Sequence, residues 1–359
     1  MKVFSGVMMI IVLSVFFFLG CSGDADKATK KAESQWEDLN KKTTLFFQEG
    51  KYNEAIDTGN QALQLAEKSF KPESPNISTS LFNLAGIYYI QGQYDKAEPL
   101  FEKALKISIS VYGPNHVNVA HIMKAQANLF YAQNKFSESQ DIFNRALAIY
   151  VNTYGNSHPS VPDILASLGE ISKIQCKLDR AIALYKAALQ VKPNDPMLKK
   201  NLETIEVDRK DIDKLIMGFQ ERILLNPENY LFQWRLGNLY MNKNDQESAL
   251  KQYEKAISIK PDYLEALIDV ANLYSNMKKY NEAVNAYKKA YEKQKDRPDL
   301  IYSITATYAK QNNLKESIVW LKKLVDIGYK NLKRLETDKD FENIRASSEY
   351  KELIKKMKS

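Results

Sequence analysis

Residues 92–105 read Gly-Gln-Tyr-Asp-Lys-Ala-Glu-Pro-Leu-Phe-Glu-Lys-Ala-Leu, and residues 134–147 read Asn-Lys-Phe-Ser-Glu-Ser-Gln-Asp-Ile-Phe-Asn-Arg-Ala-Leu. The two stretches lie 42 residues apart and share an aromatic residue, a Phe and a closing Ala-Leu at matched positions. A fixed period of this size indicates a stack of helical repeats, each of which buries its apolar face on its neighbours. The sequence therefore predicts a long concave surface of the kind that binds other proteins.

Weaker copies of this pattern occupy most of the chain. A small residue follows the turn every 42 residues in the first half, at Ala55, Ala97, Ser139 and Ala181, and every 34 residues later, at Ala249, Ala283 and Ser317. The interval from Ala181 to Ala249 is 68 residues, twice 34, so we predict a degenerate repeat there with Leu215 at the small position. Four residues after the small position most repeats have a bulky residue, and the exception is Gly59: the bulky residues are Phe101, Phe143, Tyr185, Phe219, Tyr253, Tyr287 and Leu321.

This pattern resembles the tetratricopeptide repeat (TPR), in which paired helices cross at small residues and a proline closes the repeat. The resemblance implies an all-α fold, a right-handed superhelical solenoid of antiparallel helix pairs. The predicted segments, in chain order, are a signal peptide (1–20), a flexible tether (21–34), four 42-residue repeats (35–193), the degenerate repeat (194–229), three 34-residue repeats (230–327) and a helical cap (328–359). The change of repeat length near residues 194–229 predicts two neighbouring surfaces.

The 42-residue repeats resemble those of kinesin light chains, whose connecting loops carry a Gly-x-x-His-Pro type of motif. Residues 112–116 and 154–158 read Tyr-Gly-Pro-Asn-His and Tyr-Gly-Asn-Ser-His, again 42 residues apart. We therefore assign His116 and His158 to structural loops between repeats. A motor function does not follow, because the sequence has no heptad stretch and carries an export signal.

The N-terminus has the pattern of an exported protein. A basic start is followed by an apolar run from Val7 to Leu19, which is typical of a secretory signal and shorter than the roughly 20 residues of a membrane span. Leu19-Gly20-Cys21 resembles the lipobox of bacterial lipoproteins, which implies cleavage before Cys21 and lipid attachment to it. Ser22 in place of Asp favours the outer membrane, facing the periplasm. A plain signal peptide or an uncut anchor is the alternative.

In the TPR family the first helix of each pair lines the concave face, so the resemblance implies a partner groove there. Amide side chains can offer donors and acceptors to an extended backbone, and those at groove positions are Asn83, Asn128, Asn238, Asn242, Asn272 and Asn276. The aromatic and basic residues predicted for the same groove are Tyr89, Tyr131, Trp234, Lys124 and Arg235. Lys124 and Asn128 match the first pair of the family's carboxylate clamp, but Ser167 replaces the next Asn, so that specificity is not transferred.

Composition argues against several other classes of function. The net charge of +7 is spread along the chain, so no basic stripe for nucleic acid is expected. Two cysteines do not make a disulfide framework, and three scattered histidines do not make a zinc site. Because the sequence shows no nucleophile–base pair, phosphate loop or metal-ligand spacing, we expect no catalytic residues, no cofactor and no metal.

These observations favour a non-catalytic scaffold, lipid-anchored in the bacterial envelope, that binds segments of partner proteins in the groove. Two alternatives stay open at this point. A solenoid that binds polysaccharide or another ligand would show a groove in which aromatic side chains dominate over amides. A structural protein that acts through self-association would be revealed by light scattering.

Overall fold

The structure is a computed structural model that describes residues 25–295, 297–329 and 331–358. All the regular elements in these ranges are helical, and consecutive helices pack as pairs, which confirms the predicted all-α repeat fold. The predicted signal peptide and Cys21 lie outside the described residues. The chain forms two compact units, one up to Asn134 and one from Lys135 onward. This division falls within the block of 42-residue repeats, not near residues 194–229 where the repeat length changes.

The described part of the N-terminal unit contains α1 (Ala25–Gln48), α2 (Tyr52–Ser69), α3 (Pro75–Ile90), α4 (Tyr94–Tyr112) and α5 (Val117–Ala132). Two helix pairs, α1 with α2 and α3 with α4, stack on one another, and α5 packs on α4. Because α1 begins at Ala25, the prediction of a flexible tether over 21–34 is corrected for residues 25–34, which are helical. The sequence there is rich in Ala and Lys, which have high helix propensity.

The C-terminal unit contains the remaining helices. They are α6 (Phe136–Tyr154), α7 (Ser160–Ile174), α8 (Leu178–Val191), α9 (Pro196–Lys210), α10 (Ile212–Leu225), α11 (Tyr230–Asn242), α12 (Gln246–Ile259), α13 (Leu264–Asn276), α14 (Tyr280–Lys293), α15 (Pro298–Lys310), α16 (Leu314–Asp326), α17 (Leu332–Thr337) and α18 (Ser348–Lys358), with a 3-10 turn at Lys339–Phe341. Within this unit α7 pairs with α8, α11 with α12, α13 with α14, and α15 with α16, while α6 packs on α7.

A residue in the left-handed conformation follows the first helix of almost every repeat. Such a residue reverses the chain so that the second helix can run back along the first. The residues with this conformation are Gly50, Gly92, Asn134, Cys176, Asn244, Lys278 and Asn312, at the same 42- and 34-residue spacings as the small positions. Only two of the seven are glycine. The other five carry a Cβ, so the turn holds them in a strained backbone conformation.

The predicted degenerate repeat contains two helices that do not close as a pair. Asp211 alone separates α9 from α10, it has φ −94°, and no left-handed residue lies between them. The two crossing positions, which are small elsewhere, hold Glu203, which is exposed, and Leu215, which is half-buried. Because large side chains keep the axes apart, α9 packs on α8, α10 packs on α11, and α11 comes directly against α8.

Two other deviations from the repeat pattern have packing explanations. Gly59 stands at a bulky position because a Cβ there would come within 2.8 Å of Cδ2 of Leu84 from the next pair, which fills the space instead.

At the C-terminal end, Leu335, Phe341 and Ile344 are buried against the last repeat, and the hydroxyl of Tyr302 donates to Oδ2 of Asp338 at 2.5 Å. The apolar end of the repeat array is thereby covered.

Candidate functional site in the N-terminal unit

An open cleft of about 630 Å³ runs across the first helices α1, α3 and α5 of the N-terminal unit. It brings together four residues that the sequence assigns to the groove, namely Asn83, Tyr89, Lys124 and Asn128. Asn83 and Tyr89 come from α3, and Lys124 and Asn128 come from α5 one turn apart on the same face. This cleft, hereafter the N-terminal cleft, is the candidate binding site of the chain.

The side of α3 that faces the cleft is set by helical spacing. Phe82, Asn83, Gly86, Ile87 and Ile90 recur at intervals of one and three to four residues and therefore share one face. The opposite face holds Leu81, Leu84 and Ala85, all 1% exposed or less, in the core. The apolar periodicity of α3 thus fixes which residues are left to line the cleft.

The polar groups of the cleft are amides, hydroxyls, the His121 imidazole and one ammonium. Asn83 donates from Nδ2 to Oδ1 of Asn40 on α1 at 3.0 Å, which orients its own carbonyl oxygen. Asn128 is buried at the base of the cleft. Lys124 brings a positive charge, and the lining contains no carboxylate. Such a surface offers donors and acceptors to a peptide backbone and does not repel an acidic segment.

Aromatic side chains form the apolar part of the cleft. The ring of Phe82 packs edge-on against Phe101 at 5.7 Å between centroids and lies 5.5 Å from the ring of His121. Burial raises the pKa of Tyr89 to about 12, with smaller contributions from Tyr94 and Tyr131, so its phenol stays protonated as a donor. Tyr131 itself is half-buried near Tyr89 and does not line the cleft.

Sequence reasoning missed the apolar residues of this cleft. Phe47, Tyr52 and Phe82 line it, yet they were not assigned to the groove. Tyr52 belongs to a second helix, and Phe82 stands beside an assigned Asn83. The sequence contained a signal for Phe82, because Phe82, Asn83 and Gly86 fall on one face of the predicted helix.

In the C-terminal unit, Trp234, Asn238 and Asn242 are buried, with 2%, 2% and 7% of their surface exposed. Asn238 donates from Nδ2 to the carbonyl of Gln175 at 2.8 Å, and Asn242 donates to the carbonyl of Cys176 at 2.8 Å. The expectation that Trp234 faces a partner is therefore corrected, while Asn238 and Asn242 line a smaller cleft but use their amide N–H groups within the chain. They hold α11 to the turn between α7 and α8, because the unpaired α9 and α10 let α11 reach that turn.

An ion pair reinforces the same internal contact. Lys177 lies 2.9 Å from Oδ2 of Asp269, and Trp234 donates from Nε1 to the same oxygen at 2.8 Å. The Lys177 ammonium also lies 5.3 Å from the centre of the Trp234 ring. These three groups join α8, α11 and α13 across 92 residues of sequence, so they act as a structural clamp.

Four predicted groove residues, Asn238, Asn242, Asn272 and Asn276, line a second cleft in the C-terminal unit. Asn272 and Asn276 are exposed at this smaller polar cleft of about 300 Å³, where Oδ1 of Asn272 accepts from the hydroxyl of Tyr287 at 2.5 Å. Arg235 is half-buried on α11 and lines neither cleft. The predicted groove residues are thus divided between the N-terminal cleft and this smaller cleft, apart from Tyr131, Trp234 and Arg235, which line neither.

The two histidines and the buried cysteine have structural surroundings. His116 and His158 each accept a backbone N–H through Nδ1 at the start of a helix, from Asn118 at 3.2 Å and Ser160 at 3.1 Å. Burial raises the pKa of the Cys176 thiol to about 11, which keeps it in the unreactive protonated form. In the part of the chain that the structure describes, no three His, Cys, Asp or Glu side chains are grouped as a metal would require.

The helices themselves were also compared with the requirements of a membrane span. Among residues 25–295, 297–329 and 331–358, none of the helices combines the length and the apolar character that crossing a bilayer requires.

Models of one repeat family match more than half of the chain. Models described as tetratricopeptide repeat match residues 39–108, 77–150, 124–196 and 264–295, and a TPR repeat model matches residues 237–278. No curated protein sequence matches the chain.

Several crystal structures have a similar arrangement of helices. BtubC (BKLC) from P. vanneervenii is 19% identical, with a TM-score of 0.40 over 67% of this chain and 92% of that one. A Podosopora anserina protein with nearly identical TPR-like repeats is 17% identical, with a TM-score of 0.41 over 65% and 96%. MamA protein is 19% identical, with a TM-score of 0.33 over 51% and 97%. Repeats of this type generally serve as non-catalytic scaffolds for protein–protein interaction. The repeat models, the helix pairs and their left-handed turns together establish that this chain belongs to the tetratricopeptide repeat family.

Proposed function

We propose that this chain is a non-catalytic scaffold that binds an extended segment of a partner protein in the N-terminal cleft. The observation that carries the proposal is the contrast between the two units. Four predicted groove residues line an open cleft in the N-terminal unit, whereas Trp234, Asn238 and Asn242 are buried in the C-terminal unit. Asn238 and Asn242 also line the smaller cleft of about 300 Å³, but their amide groups already donate to backbone carbonyls of the chain. The N-terminal cleft, at about 630 Å³, leaves more room for a bound segment.

A glycine makes this cleft deep enough for a side chain. A Cβ added to Gly86 would meet no atom within 4 Å, so no packing contact requires glycine there. Fifteen residues later stands Phe101, and elsewhere this pair of positions holds a polar residue that accepts from a tyrosine hydroxyl, as with Asn238 and Tyr253. With neither group present, the floor beside Gly86 is open and apolar, and it suits an apolar side chain of the bound segment.

The cleft is tested by filling it. Gly86→Leu places a side chain in the open space, while Gly218→Leu on α10 is the matched control, since its Cβ also meets nothing within 4 Å. Partners are captured in cells by a photo-cross-linking amino acid at Ile90, which is exposed and lines the cleft. We expect the cross-linked species to disappear with Gly86→Leu and to persist with Gly218→Leu. Equal cross-linking in both variants would rule out the N-terminal cleft.

We also propose that lipid attached to Cys21 holds the protein in the bacterial envelope, on the periplasmic side of the outer membrane. The support is the sequence Leu19-Gly20-Cys21 and the start of α1 only four residues after Cys21. Such a short connection would keep the repeats close to the membrane and raise the local concentration of partners there. Radiolabelled palmitate should label the wild type and not Cys21→Ala; equal labelling would contradict the lipid anchor.

A glycan is the second candidate ligand, because Tyr52, Phe82 and Tyr89 line the same cleft. Aromatic rings offer flat apolar faces on which sugar rings can pack. Isothermal titration with envelope polysaccharide fragments distinguishes the two classes of ligand. Binding that Gly86→Leu abolishes would assign the cleft to glycan and not to a protein segment.

A further inference from the structure

The solvent-facing side of α10 carries large apolar side chains that are exposed among the residues that the structure describes. Met217, Leu224 and Leu225 are 61%, 82% and 88% exposed, and Gly218 beside them has no atom within 4 Å of the position of a Cβ. Together with Lys214 and Glu221 they recur at spacings of three, four and seven residues, which puts them on one stripe of the helix. We call this stripe the α10 face.

The α10 face is unusual in its chemistry, not in its exposure. On the paired second helix α12, the positions equivalent to Met217 and Leu224 hold Lys251 and Ser258, which are also exposed. Clustered large apolar residues on a surface mark an interaction site more often than single ones do. The stripe is therefore a candidate contact surface for another helix with an apolar side chain at the contact.

The charges on this stripe are self-complementary. If a second α10 lies antiparallel, with the two-fold axis between residues 217 and 218, each Lys214 faces Glu221 of the other copy. The same register sets Met217 opposite the open space at Gly218. An isologous contact of this kind forms each pairing twice. A parallel arrangement would bring like charges together, so the pattern also selects the direction.

We propose that the α10 face is a homodimer interface, in which two copies of this chain pair their α10 helices antiparallel. Met217 seats against Gly218 of the second copy, and Lys214 pairs with Glu221 across the axis. The same register sets Leu224 opposite Asp211 and Leu225 opposite Lys210 of the other copy, so the apolar part of the contact is Met217 against Gly218. This contact uses residues of the C-terminal unit, whereas the N-terminal cleft is lined by residues of the N-terminal unit.

A charge exchange provides the test. Sedimentation equilibrium of the full-length chain in density-matched non-ionic detergent should give twice the monomer mass for the wild type. Lys214→Glu turns two attractions into two repulsions and should weaken dimerisation by about tenfold or more. The double variant Lys214→Glu with Glu221→Lys restores both pairs and should return the dissociation constant to about the wild-type value. Gly218→Leu should abolish the dimer by blocking Met217.

Gly86→Leu is the matched control, because it adds the same side chain to a helix of the N-terminal unit, where a Cβ also meets no atom within 4 Å. The dimer must persist in this variant. A monomeric wild type at about 0.1 mM, well above the dissociation constants of specific dimers, would overturn the proposal. So would a dimer that Lys214→Glu leaves unchanged, or a monomer that binds anionic vesicles through Leu224 and Leu225. Loss of partner cross-linking from Ile90 with a normal dimer would concern only the cleft, so the two proposals fail separately.

Discussion

Glycine has two opposite roles in the first helices of this protein. At Gly237 a Cβ would lie 2.5 Å from Cε1 of Tyr253, and at Gly169 it would lie 2.9 Å from Cε1 of Tyr185. Both glycines therefore let a tyrosine of the paired helix approach the backbone. Gly86 has no such neighbour, and its missing side chain opens the N-terminal cleft instead. One residue type thus serves packing in one helix pair and access to the surface in another.

This difference predicts opposite effects of alanine. Gly86→Ala should raise the free energy of unfolding by roughly 0.5–1 kcal/mol, because alanine loses less backbone entropy in a helix and meets no obstacle there. Gly237→Ala should lower it, by about 1–3 kcal/mol, since the Tyr253 ring must move and its hydrogen bond to Asn238 is disturbed. Urea unfolding followed by circular dichroism measures both. A stabilised Gly237→Ala protein would contradict the close approach of Tyr253.

The tyrosines also show what the sequence could have revealed about single residues. Glu170, Asn238 and Asn272 each accept a hydrogen bond from a tyrosine hydroxyl fifteen residues later. A tyrosine at the bulky position is therefore a signal that the polar residue on the first helix is already occupied. That signal was visible for Asn238 and Asn272, whereas the burial of Asn242 against Cys176 depends on a contact across 66 residues.

At the scale of a helix pair, one bulky side chain holds each second helix in place. Phe101 is 1% exposed and belongs to the same apolar cluster as Ile77 and Leu81. Phe101→Ala should leave a cavity and lower the free energy of unfolding by about 3–5 kcal/mol. Leu45→Ala, at a residue that is 51% exposed, is the control and should change it little. A melting curve that Phe101→Ala leaves unchanged would contradict the repeat register.

The spacing of small and bulky residues predicted the helix pairs because each pair is held by contacts between residues close in sequence. The same spacing predicted a degenerate repeat at Leu215 but not that its helices would separate. Separation depends on three coincident changes, namely Glu203, Leu215 and the lack of a left-handed residue near Asp211. Each was readable in the sequence as a departure from the pattern. Their combined effect, the approach of α11 to α8, required the packing of the neighbouring repeats to be known.

At the largest scale, the C-terminal unit brings together helices that are more than 100 residues apart in sequence. Ser137 on α6 hydrogen-bonds the carboxylate of Glu265 on α13. Arg297, just before α15, binds Asp299 through two contacts of 2.8 and 2.9 Å. Burial lowers the pKa of Arg297, but Asp299, Asp141 on α6 and Glu265 raise it above its ordinary value. The repeat pattern does not predict the contact between α6 and α13, because the repeat register specifies only contacts between neighbouring helix pairs.

The contact between α6 and α13 should make the free energy of unfolding depend on pH. Burial raises the pKa of Glu265, the hydrogen bond from Ser137 opposes the rise, and Glu138 and Asp269 add to it. The folded state therefore binds the proton more tightly than the unfolded state, and stability falls as pH rises through the raised pKa. Glu265→Gln cannot ionise, so it should melt at a higher temperature than the wild type at pH 7.5. The difference should vanish near pH 4, where the carboxyl is protonated in the folded protein. Glu228→Gln, at an exposed residue, makes the same change of net charge and should show no such convergence. A gap between Glu265→Gln and wild type that stays constant from pH 4 to 7.5 would mean that ionisation of Glu265 does not oppose the contact between α6 and α13.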